Sequence, residues 1–92
     1  MPTLKMKLTA GDTVSNRWAV IDDIDIDFDG TSASVTVSNN PDHSVIIWFE
    51  GPPGAKISYE ITQSGISLVK GSSSISHGKR HGYVAGTFKL AN

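Results

Sequence analysis

From Asp23 to Asp29 the chain reads Asp-Ile-Asp-Ile-Asp-Phe-Asp, acid and apolar residues alternating without a break. Successive side chains of an extended strand point to opposite faces, so a period of two marks a strand with one face buried and one in water. The pattern places Ile24, Ile26 and Phe28 in a core and Asp23, Asp25, Asp27 and Asp29 in solvent. The same register runs back on even positions through Val20 to Trp18 and is broken only at Asp22. That break predicts a bend or bulge near residues 21–23, or else two short strands.

The rest of the chain repeats the motif in short lengths. Leu4, Met6 and Leu8 alternate with Lys and Thr; Ala33, Val35 and Val37 alternate with Ser and Thr; Ile57, Tyr59 and Ile61 share one parity. Ile66 and Leu68, then Val84, Phe88 and Leu90, continue the series of core positions. Residues 44–49, Ser-Val-Ile-Ile-Trp-Phe, form the most apolar run and are expected to pair with residues 32–38 as a hairpin. Asn39-Asn40-Pro41-Asp42, Gly51-Pro52-Pro53-Gly54 and Ser64-Gly65 are turn signals, and the polar, glycine-flanked stretch 71–82 is expected to be a loop. No segment carries the i, i+3, i+4, i+7 spacing of an amphipathic helix. About seven short strands, separated by turns at about 8–12 residues, predict one all-β domain over residues 1–92. The expected form is an antiparallel β-sandwich of immunoglobulin-like architecture, with a small β-barrel as the alternative.

Composition then limits function. Eight Lys and Arg against nine Asp and Glu leave a net charge of −1, which excludes the basic excess of a nucleic-acid binder. There is no cysteine, so neither a disulfide nor a thiolate nucleophile or ligand can be built. The N-terminal Met-Pro-Thr-Leu-Lys-Met-Lys-Leu lacks the apolar stretch of a signal peptide, and no run is long and apolar enough to span a bilayer. A soluble cytoplasmic chain is the expectation.

Three constellations could carry chemistry. Asp25-Ile26-Asp27-Phe28-Asp29-Gly30 matches the first half of a calcium loop, in which alternating carboxylates serve a hard cation and the glycine permits a sharp turn. The twelfth position from Asp25 is Thr36 rather than the bidentate Glu, so the favoured reading is a solvated acidic face, relieved by a cross-strand lysine row such as Lys5 and Lys7. His77-Gly78-Lys79-Arg80-His81 brackets two cations between two histidines, which opposes a zinc site and suits an anion or an acidic partner. Such binding strengthens in mild acid, where an ordinary histidine becomes charged. If Val45, Ile47 and Phe49 face the core, Ile46 and Trp48 face the other way and form a contact patch for protein or for sugar stacking. Catalysis has no motif: there is neither a Gly-x-Ser-x-Gly elbow nor a phosphate loop, and a hydrolase would need His43, His77 or His81 beside a serine and an aspartate.

These features predict a non-catalytic module that recognises a protein partner or its own copy, with neither nucleic acid nor a membrane span, and with no metal or cofactor. The binding residues are Ile46, Trp48, His77, Lys79, Arg80 and His81. The alternatives are a carbohydrate-binding module, a calcium-binding domain through Asp25, Asp27 and Asp29, and a small hydrolase.

Overall fold

The structure is a computed structural model and describes residues 1–91. It is all-β, with eight strands: β1 (Thr3–Ala10), β2 (Asn16–Ile21), β3 (Ile24–Asp25), β4 (Ser32–Thr36), β5 (Asp42–Glu50), β6 (Lys56–Gln63), β7 (Ile66–Ser74) and β8 (His81–Lys89). They form two antiparallel sheets of four strands, ordered β4-β1-β6-β7 and β3-β2-β5-β8. The sheets pack as a sandwich and do not close into a barrel. No helix is present among the described residues, and so none is long and apolar enough to cross a membrane.

Alternation makes both layers. Leu4, Met6 and Leu8 of β1, Ile57, Tyr59 and Ile61 of β6, and Val45, Ile47 and Phe49 of β5 are all buried, each two residues from the next. The continuous apolar run of β5 therefore has a definite inner face, and Ile46 and Trp48 stand on the outer one. Phe49 is the largest fully buried side chain. Its cross-strand neighbour is Gly82, where a Cβ would come within 2.7 Å of the ring, so a glycine is what leaves space for it.

The acidic stretch is not one strand. Asp22 and Asp23 have φ of 50° and 69°, and Ile21 pairs directly with Ile24 across them. Two consecutive residues with positive φ are what a tight hairpin loop of the type I′ kind requires, and aspartate is among the few residues that tolerate it. A two-residue loop between paired residues places Ile21 inward and shifts the register of everything before it. Ala19 and Ile21 are buried, whereas Trp18 is exposed and Val20 half-buried. The expected core positions Trp18, Val20 and Ile24 are thus corrected. Ile24 faces inward at the thin β3 edge and remains exposed. Beyond β3 the chain leaves regular pairing; Ile26 and Phe28 pack against the core from its margin. Arg17 lies over the Phe28 ring at 5.0 Å and donates to the Gly30 carbonyl at 2.5 Å, which fastens this segment.

Four further expectations change. Residues 32–38 and 44–49 do not form a hairpin: β4 pairs with β1, while β5 lies in the other sheet between β2 and β8. Lys5 and Lys7 have Ser34 and Ser32 opposite on one side and Thr62 and Glu60 on the other, so they do not relieve the acidic stretch. The expected loop over 71–82 continues β7 to Ser74, and Ile75 enters the core, its backbone exchanging hydrogen bonds with the segment around Gly54 and Ala55. Ile66, expected inside, is exposed at the start of β7.

Candidate binding face

Strand register decides which side chains gather on the outer face of the second sheet. Trp18 of β2 lies opposite Trp48 of β5, and Trp48 opposite Tyr83 of β8. These three aromatics make one row across three strands. The next row is Val20, Ile46 and Ala85, linked in the same way. Directly opposite residues on one face stand close enough to touch, so the two rows form a continuous apolar surface. Relative exposures are 48% for Trp18, 48% for Ile46, 40% for Trp48 and 62% for Tyr83. Polar rows flank this surface: Asn16, Glu50 and His81 at one end, Ser44 and Thr87 at the other. An apolar centre with a polar border is the composition of a recognition surface.

The outer face of the first sheet is the opposite in character. Lys5, Lys7 and Thr9 of β1, Ser34 and Thr36 of β4, and Lys56, Ser58 and Glu60 of β6 occupy it. It is an ordinary solvated face. A concavity of about 640 Å³ lies over this sheet between Lys7, Glu60 and Lys70, whose charges follow one another in register. It is a wide, shallow trough with a carboxylate between two ammonium groups, and it gathers no distinctive chemistry.

Two of the predicted sites merge. His81 stacks on the Trp48 indole, with centroids 4.9 Å apart and planes within 10°, and Tyr83 follows at 6.4 Å. Lys79 and His81 line a small cleft that continues from Tyr83. Ile46, Trp48, Lys79 and His81 therefore share one region, whereas His77 and Arg80 stand outside the cleft in the β7–β8 loop and are exposed. Trp18 and Tyr83 belong to the face and escaped the sequence reading. Trp18 was placed in the core by a register that Asp22-Asp23 interrupts. Tyr83 carried a usable signal, because it has the opposite parity to Val84 and Phe88.

His43 is the buried polar residue among those described, 3% exposed. Its Nδ1 is hydrogen-bonded to the Asp22 carboxylate, and its ring lies 5.6 Å from that of Phe88. The same carboxylate accepts the Ser44 backbone N–H at 2.8 Å. Partial burial raises the Asp22 carboxyl's affinity for a proton; the bonds from His43 and Ser44 outweigh it and hold the group below the ordinary carboxylate range. Nε2 of His43 has no hydrogen-bond partner among the described residues, and the Ser44 hydroxyl is directed at Asp22, 3.5 Å away, rather than at the imidazole. The pair thus ties the β2–β3 hairpin to β5 and lacks the serine a hydrolase would need at Nε2.

For a metal, no group of three or more His, Asp or Glu side chains is gathered among the described residues. Asp25 pairs with Val20 in the sheet and Asp29 bridges to Ser32, so the alternating carboxylates are spread along the margin instead of converging.

The chain matches no protein-family model, no curated protein and no solved structure.

Proposed function

We propose that the chain is a non-catalytic module that recognises a protein partner through the outer face of its second sheet. The observation that carries this is the in-register row Trp18–Trp48–Tyr83, backed by Val20–Ile46–Ala85, on a face that a two-layer sandwich gives to water. Tryptophan and tyrosine are enriched among the few residues that carry most of the energy at protein interfaces, and a contiguous apolar patch rimmed by polar residues is the kind of surface such contacts use. The aliphatic second row favours protein over sugar, because Val20 and Ile46 offer no ring for a saccharide to stack on. Trp48 already has His81 against its ring.

The test compares the wild-type chain with Trp18→Ser and Tyr83→Ser in capture of protein from extracts of its source cells, alongside a glycan array. Each exposed residue can be removed without opening the core. A protein retained by wild type and lost by both variants supports the proposal, with a loss of about 2 kcal/mol or more per aromatic at the centre of the contact. A glycan retained by wild type, lost by the variants and unaccompanied by any protein supports sugar binding instead. Equal capture by all three chains overturns the use of this face.

A further inference from the structure

The cleft at the Tyr83 end of the aromatic row has its own chemistry. It is a half-open groove of about 280 Å³, bounded by Gly82 and by the side chains of Ser73, Ser74, Ser76, Lys79, His81 and Tyr83. Three aliphatic hydroxyls, a phenol, an imidazole and an ammonium surround it, and no carboxylate does among the described residues. Lys79 has no ion-pair partner among the described residues. Every one of these groups can donate a hydrogen bond, and a small volume ringed by donors and one fixed positive charge suits an oxyanion.

The walls are held in place before any ligand arrives. The Lys79 backbone N–H donates to the Ser76 carbonyl at 3.1 Å across a turn in which Gly78 has φ of 83°. The Gly51 N–H donates to the Arg80 carbonyl at 3.0 Å and ties the loop to the end of β5. His81 is braced by its stack on Trp48. The loop backbone and the His81 ring are set in advance, and binding has chiefly the exposed Lys79 side chain to order.

Resting on the docking face described above, we infer that the cleft seats an anionic side chain of the protein that docks on the aromatic row, a carboxylate or a phosphorylated hydroxyl. Tyr83 belongs to both features and His81 touches both, so a segment crossing the row from β2 towards β8 runs directly into the cleft.

The test uses the ¹⁵N-labelled chain, titrated separately with inorganic phosphate and with acetate at constant ionic strength, with chloride as the control. The expected result is saturable amide shifts confined to residues 73–76 and 79–83 and absent with chloride. Lys79→Gln should weaken binding about tenfold or more, the range for losing a hydrogen bond to a charged group. Trp18→Ser should leave it unchanged. Tighter phosphate binding assigns the partner's group as a phosphorylated side chain; equal or tighter acetate binding assigns a carboxylate. If neither anion gives a saturable shift, or if the shifts spread over every lysine as they do with chloride, the cleft is not an oxyanion site. The docking row would be untouched by that failure, because Trp18→Ser and Tyr83→Ser test it without reference to the cleft.

Discussion

At the scale of single residues, Asp22 does the most with the least. Its backbone takes up a left-handed conformation, its carboxylate accepts from the Ser44 N–H, and the same carboxylate holds the one buried histidine among the described residues. Because folding lowers its proton affinity, the stabilisation is present above the ordinary carboxylate range and is lost as pH falls through the folded value. Asp22→Asn keeps the size and one acceptor but cannot ionise. At neutral pH it should be less stable by about 1–2 kcal/mol, kept small because the carboxylate is partly exposed and screened. The gap to wild type should close as pH falls below about 4, where the wild-type carboxyl begins to bind its proton. Thermal melts of both chains across that range check it, and parallel curves would show that Asp22 contributes no charge-dependent stability. The exposed pair Lys89–Asp42, at 3.6 Å, should contribute almost nothing by comparison.

At the scale of elements, the β2–β3 hairpin separates what was legible in the sequence from what was not. Alternation located β1, β4, β5 and β6 and gave the inner faces of β1, β4 and β6; the continuous apolar run of β5 left its face open, and the structure sets Phe49 inside and Trp48 outside. It marked a break near residues 21–23, where β2 ends and β3 begins, but it misplaced Trp18 and Val20 because parity carries no information across a tight turn. Asp22-Asp23 looks like a continuation of an acidic stripe, yet two positive φ angles reverse the chain there. Pairing was the other illegible property. Adjacent strands β4 and β5 entered different sheets, and side-chain parity does not encode which sheet a strand joins. A pair of substitutions reads the corrected register. Ile21→Asp buries a charge with no partner and should cost several kcal/mol or unfold the chain. Trp18→Ser should change stability by about 1 kcal/mol at most, as an exposed substitution. Chemical denaturation of the two variants decides it: the reverse order would restore Trp18 to the core.

On the scale of the whole molecule, the two outer faces have unlike compositions, and that contrast is the basis of the functional account. One face carries Lys, Ser, Thr and Glu; the other carries two tryptophans, a tyrosine, an isoleucine and a valine. Cross-strand packing of Trp18, Ile46 and Tyr83 adds a little to the sheet, yet each leaves a large apolar area in water, and it is to that area that the proposed contact is assigned. The sequence already contained the parts: Ile46 and Trp48 by parity in β5, and the His77–His81 stretch by its charge. Their assembly came from register, which set Trp18 and Tyr83 on either side of Trp48 and brought His81 onto its ring. The most direct measurement is acrylamide quenching of tryptophan fluorescence in Trp18→Phe and Trp48→Phe, each of which leaves a single indole. Both indoles should emit as solvent-exposed and be readily quenched, Trp18 more than Trp48, whose ring lies against His81. A blue-shifted, unquenched Trp18 would place it in the core and remove the aromatic row on which the docking face depends.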